Sequence, residues 1–147
     1  MPIIQANANH DVDSRGLRYI FMEKHHGGPS APGQAQWLPS LSFETEFWIF
    51  DQANIQNFKD KDGRLFGMLK EPTSVCEIIG TRDEQIARFE PPSAGNPWHG
   101  FPVYPLSGVK GRSKFAGRPR PEVFARMVEV GLITEEQARR LRNMKHI

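Results

Sequence analysis

The stretch LSFETEFWIF, residues 41–50, decides how this 147-residue chain is read. Leu41, Phe43, Phe47 and Ile49 alternate with Ser42, Glu44, Glu46 and Trp48, and the pattern breaks only at Thr45. Successive side chains of a strand point to opposite faces, so a two-residue period predicts a strand with one face in the core and one in water. On that reading Glu44 and Glu46 share the outer face with Trp48. They form either a carboxylate pair suited to hydrolysis or part of a partner surface.

Working outward, LRYIFMEK (17–24) alternates in the same way and ends at HHGGPSAPG, whose Gly and Pro content marks a loop. The first sixteen residues show no period and are expected to form an arm or an irregular edge before the first strand. Asp62-Gly63 separates a polar from an apolar run and signals a tight hairpin turn. SVCEIIG (74–80) reads as a further short strand. Thr81 followed by Glu84 has capping-box spacing, which predicts a helix near 81–89, stopped by Pro91-Pro92. Residues 91–120 are rich in Pro, Gly and Arg and read as a long loop. Pro121 then opens an amphipathic helix through Val123, Phe124, Met127 and Val128, with Gly131 at its C-cap. A second helix starts from the capping box of Thr134 and Gln137, with Glu135 and Glu136 at its positive end and Arg139, Arg140, Arg142 and Lys145 at its negative end.

The expected fold class is therefore α+β: an antiparallel sheet of about four or five strands, a short helix, a Pro/Gly-rich loop and a C-terminal helical hairpin. All of it is assigned to a single domain over 1–147, with a sheet-rich body at 17–90, a Pro/Gly/basic loop at 91–120 and a helical hairpin at 121–147. Hydrophobic residues at 38% and charged residues at 24% suit one globular core, and the 12 prolines and 13 glycines imply extensive loops. A single cysteine, Cys76, excludes an internal disulfide framework, and its apolar neighbours Val75, Ile78 and Ile79 favour a buried thiol over a nucleophile. No apolar run is long enough to span a bilayer, and the first twenty residues lack the apolar stretch of a signal peptide. The expectation is a cytoplasmic protein with no membrane partner.

The net charge of +2 conceals a polarity along the chain. Residues 1–106 carry 9 Lys/Arg against 13 Asp/Glu, whereas 107–147 carry 10 against 4. KGRSKFAGRPRP (110–121) places Lys110, Arg112, Lys114, Arg118 and Arg120 around Phe115. Together with Arg139, Arg140 and Arg142, these cations could neutralise phosphates and release counterions. The short Gly-containing turn between the two terminal helices also fits a helix-turn-helix, although paired helices of this kind equally serve to cover a core. In GNPWHGFPVYP (95–105) three prolines stiffen a loop in which Trp98, Phe101 and Tyr104 recur three apart, available either to stack on bases or to pack down as a lid.

Imidazoles titrate near neutrality, and two of them plus a cation suffice for a ribonuclease-like site. His25, His26 and His99 are the catalytic candidates, with Lys24, Arg112 or Lys114 as the cation. His10, Asp11 and Asp13 offer ligand atoms but no established metal-site spacing, and DKDG lacks the closing glutamate of a calcium loop, since Leu69 stands there. With no P-loop and no GxGxxG, neither a metal nor a cofactor is expected. Three functions remain open: a nucleic-acid-associated protein binding through the basic C-terminal segment, a protein-protein interaction module such as an adaptor or inhibitor, and a histidine-dependent phosphodiester-cleaving enzyme, toxin-like in type. The partner is nucleic acid or another protein.

Overall fold

A computed structural model describes residues 11–22, 25–26, 35–93, 97–106 and 110–147. Over the described residues the architecture is mixed α+β, with two antiparallel sheets and three α-helices.

The 41–50 stretch is a helix, not a strand. Helix α1 (Phe43–Gln56) starts at Ser42, whose extended backbone frees its hydroxyl to accept the Thr45 N–H at 3.1 Å. Glu44 and Glu46 sit in the first turn, where carboxylates favour the positive end of the helix, and Asn57 ends it with a left-handed φ of 60°. Residues 43 and 47 are four apart, so they share a helix face as readily as a strand face. The tie is broken downstream, where Phe50 and Ala53 continue a stripe with Glu46, Phe47 and Ile49 that is buried. Phe50 packs on Tyr19 at 4.6 Å, Phe89 at 5.2 Å and Trp98 at 5.8 Å between ring centroids. Burying this stripe outweighs the strand propensity of its aromatic and β-branched residues.

Strands β1 (Asp11–Ser14) and β2 (Leu17–Ile20) pair across a two-residue turn at Arg15 and Gly16, both with positive φ, as tight hairpins require. Strands β3 (Leu65–Gly67), β4 (Ile86–Glu90) and β5 (His99–Tyr104) form the second sheet in that order. Asp62-Gly63 lies in the turn before β3, with Gly63 at φ 84° and the Asp60 N–H bonded to the Arg64 carbonyl. The expected single sheet is thus split in two. They are joined by main-chain bonds from Ile20 N–H to Trp98 O and from Trp98 N–H to Arg18 O, each 2.9 Å.

Three further expectations are corrected. The helix near 81–89 is absent, and β4 occupies its place. Glu84 does not reach back to Thr81; its carboxylate takes the Arg82 N–H at 2.8 Å, and Asp83 adopts φ 65°, which makes a turn. Residues 74–80 form no named strand; only Gly80 makes an isolated bridge, to Trp37. The region 91–120 contains β5 and a 3-10 turn at Gly111–Phe115. Pro102 is accommodated at the edge of the sheet, near a register shift between Ile86 and Ala87.

Helix α2 (Pro121–Glu129) buries Val123, Phe124 and Met127, and Gly131 follows at φ 79°. Helix α3 (Glu135–Arg142) is held by both arms of the Thr134–Gln137 capping box and buries Ala138 and Leu141. The Tyr104 hydroxyl donates to the Leu141 carbonyl, fixing α3 to the end of β5. No helix of the described residues is long and apolar enough to cross a membrane.

The approach of α1 to β3 leaves no room at Gly67, where a Cβ would lie 2.8 Å from Ile49 Cγ2 and 2.9 Å from the Ile49 carbonyl oxygen. Gly67→Ala is expected to lower stability by about 1–3 kcal/mol, the usual cost of overpacking, in urea unfolding. An unchanged midpoint and slope would show that the two elements are not in that contact.

Candidate active site

Alternation along β4 and β5 sorts their residues between two faces. Ala87, Phe89 and Gly100 are buried, while Arg88, Glu90, His99 and Phe101 are part-exposed on the opposite face. Gly100 is required there, because a Cβ would stand 2.1 Å from the Phe89 ring. The register sets Arg88 opposite Phe101 and Glu90 opposite His99.

His25 meets this face from the turn after β2 but is itself buried, at 3% exposure. Its ring stacks on Phe101 at 4.7 Å and lies nearly parallel to His99, with centroids 6.5 Å apart and planes 10° apart. The main chain of His25 is held on both sides, its N–H donating to Met22 O and its carbonyl accepting from Trp37 N–H. Its Nδ1 lies 2.7 Å from the Ala35 carbonyl. A carbonyl only accepts, so Nδ1 carries a proton, and Nε2, a buried atom, is the nitrogen that could act as a base. The Arg88 guanidinium sits 5.1 Å above the Phe101 ring and pairs with Glu90 at 2.6 Å. Two imidazoles, a cation and a carboxylate thus share one sheet face.

His26, the next residue, turns to a different partner. Its Nε2 lies 2.8 Å from Glu46 Oε1, without linear hydrogen-bond alignment, and Glu46 Oε2 accepts the Tyr19 hydroxyl at 2.5 Å. Glu46 is fully buried in the first turn of α1. Burial raises its pKa, and the contacts with His26 and Tyr19 only partly offset this. Burial also pushes the Tyr19 phenol well up, reinforced by the Glu46 charge. His26 packs edge-on against Phe43 and borders a cavity of about 340 Å³ with Gln36, Trp37, Leu38 and Thr81.

The basic residues gather elsewhere. Arg118 donates to the Arg142 carbonyl at 3.0 Å, which ties the 110–118 segment to the end of α3. Phe115, half-buried, carries Lys114 at 5.0 Å and Arg118 at 4.9 Å over its ring. Lys110, Arg112 and Arg142 are exposed on this edge. Arg120 pairs with Asp62 at 2.7 Å, Arg139 pairs with Glu136, and Arg140 bonds the His146 carbonyl, so these three are partly engaged within the fold.

The remaining candidates divide as follows. Trp98 is 7% exposed and Tyr104 fully buried, so neither offers a ring face to a base; both pack into the core. Glu44 and Glu46 form no surface pair, because Glu46 is buried and Glu44 is not. Burial pushes the Cys76 thiol up to about 12, which leaves it a core residue. His10, Lys24, Gly27 and Gly28 lie outside the described residues. Among the described residues no three His, Cys, Asp or Glu groups gather as metal ligands. Arg88, Glu90 and Tyr19 were not anticipated. The outward Arg88 and Glu90 were legible in the alternation of IARFE (86–90), once that stretch is taken as strand. A scan against protein-family models gives no match, and searches of curated proteins and of solved structures likewise find no similar protein.

The raised pKa of Glu46 has a definite sign in stability. Above the ordinary carboxyl value near 4.5 the unfolded chain has lost this proton while the folded chain still holds it, so stability falls as pH rises toward the folded pKa. Compared with Glu46→Gln, the wild type is expected to lose stability progressively above pH 4.5 in urea titrations at stepped pH. A pH-independent difference between the two proteins would show that Glu46 carries no such burden.

Proposed function

We propose that the protein is an RNA-cleaving phosphodiesterase whose acid–base pair is His25 and His99. The observation that carries this is the parallel approach of the two imidazoles, at 6.5 Å, around the Phe101 ring that also carries the Arg88 guanidinium. Groups that each reach one phosphate through hydrogen bonds of about 3 Å must stand within roughly 10 Å of each other, and these do. RNA is the matching substrate because its 2′-hydroxyl supplies the nucleophile from within, leaving the protein only proton transfer and charge stabilisation.

The roles follow from the tautomer. Neutral His25, basic at Nε2, takes the 2′-hydroxyl proton as the oxygen attacks phosphorus. Protonated His99 gives its proton to the departing 5′-oxygen, yielding a 2′,3′-cyclic phosphate and a 5′-hydroxyl. Arg88 faces the charge that grows on the phosphoryl oxygens, and Glu90 holds the guanidinium in place. The Glu46–His26 contact anchors the turn that carries His25.

Replacing either imidazole, as His25→Gln or His99→Ala, is expected to lower cleavage of a labelled single-stranded RNA by about 10²–10⁴-fold with the fold intact by near-ultraviolet circular dichroism. The wild-type rate should be bell-shaped in pH, and the DNA of the same sequence should be inert. A fully active His99→Ala would sink the assignment.

The basic edge favours a second reading, nucleic-acid binding without cleavage. It lies beyond the opposite end of β5, where Gly117 packs on Val103, about 13 Å along the strand from His99 at 3.3 Å per residue. One RNA strand could occupy both places. Exchanging Arg112, Lys114, Arg118 and Arg142 for Ala is expected to weaken RNA binding and flatten its dependence on salt in anisotropy titrations. Retained binding with an unchanged salt slope would remove this edge from the interface. If neither binding nor cleavage occurs at low salt, a protein-protein interaction module becomes the better reading. A reducing, cytoplasmic setting fits the lone buried Cys76.

A further inference from the structure

Away from the histidines, a cavity of about 340 Å³ opens between α1, the segment after β3 and the turn joining α2 to α3. Its apolar lining includes Ala53, Phe58, Met68, Val130 and Leu132. Trp48, Gln52 and Gln56, spaced four apart, project along one stripe of α1 to form a wall with an aromatic ring and two amides. Trp48, Lys70 and Glu71 also border a second cavity of about 320 Å³, so the space continues along the helix. An apolar site with a few placed polar groups is the usual form of a small-molecule pocket, and this volume is more than twice the roughly 150 Å³ that accepts a benzene.

Lys70 gives the cavity its chemistry. The residue is only 6% exposed, yet its ammonium has no carboxylate partner among the described residues. It donates to the Leu132 carbonyl at 2.6 Å and the Glu71 carbonyl at 3.1 Å. An ammonium has three N–H groups, so one donor and a whole positive charge are left over. A buried cation satisfied by carbonyl dipoles alone is poorly compensated, and an anion beside it would correct this. Glu71, and Glu77 at the adjoining cavity, are exposed, and Glu71 meets Lys70 through its main chain.

We infer that this cavity binds an amphipathic organic monoanion, with an aromatic or short aliphatic body against Trp48 and the apolar floor and one carboxylate or sulfonate at Lys70. The site is separate from the proposed phosphodiesterase centre, and its fate does not depend on that assignment.

Two fluorescent probes with the same body test it on the full chain: 8-anilinonaphthalene-1-sulfonate, which is anionic, and N-phenyl-1-naphthylamine, which is neutral. The sulfonate should saturate at one equivalent and be displaced by octanoate but not by octanol. Lys70→Met should weaken sulfonate binding about tenfold while changing the neutral probe less than twofold. Lys70→Arg should retain the preference for the anion, and Gln52→Trp, which fills the cavity from its rim, should abolish both signals. Cooperative thermal unfolding of each variant shows that its fold is kept, and if Lys70→Met does not fold, the Arg and Trp variants still decide. Absence of saturable binding, equal loss of both probes in Lys70→Met, or loss only when Arg112, Arg118 and Arg142 are replaced would overturn the inference.

Discussion

The packing of Phe50 on Tyr19, Phe89 and Trp98 is the contact on which the rest of the structure depends. These four rings come from α1, β2, β4 and the segment entering β5, so one cluster links both sheets to the helix. Fully burying each large side chain contributes about 1.5–3 kcal/mol, which makes the cluster a major share of a small domain's stability. The candidate site is also placed by it. With Phe89 committed to the core, Arg88 and Glu90 must face the other way, and with Gly100 beneath the Phe89 ring, His99 and Phe101 join them. The histidine face is the reverse side of the hydrophobic core.

Two locally similar signals in the sequence had opposite outcomes. Thr134 with Gln137 and Thr81 with Glu84 both have capping-box spacing. Only the first is followed by a residue set that buries a helical stripe, Ala138 and Leu141. After Thr81, the alternation of Ala87, Arg88, Phe89 and Glu90 fits a strand, and Asp83 takes a left-handed turn that diverts Glu84 to the Arg82 amide. At 41–50 a strand-like pattern yields to a helix, because the spacing of Phe43 and Phe47 satisfies both periods and only Phe50 and Ala53 separate them. Capping geometry is local, whereas the choice between helix and strand was made by tertiary burial.

The candidate site was legible in its residue types and not in its arrangement. The histidines stood out because imidazole titrates near neutrality. Nothing in the chain announced that His25 would stack on Phe101, or that Glu46 would be drawn from an apparent surface into the core by Tyr19 and His26. Pairing across β4 and β5 is set by register, which depends on long-range contacts. The aromatics of 95–105 show the same limit: Trp98 and Tyr104 are spaced as if for display, yet both serve the interior, Tyr104 by anchoring α3.

The main-chain link between Arg18 and Trp98 also bears on how the molecule assembles. It joins residues some eighty positions apart, and closing so long a loop costs entropy before any contact repays it. Local pieces such as the β1–β2 hairpin and the α2–α3 pair need no such closure and can form early. His25 follows one end of that link and His99 the other, so their meeting requires the long loop to be closed. A partly folded chain, or one still emerging during synthesis, would hold both imidazoles without holding the pair, and any chemistry they perform together would be withheld until the fold is complete.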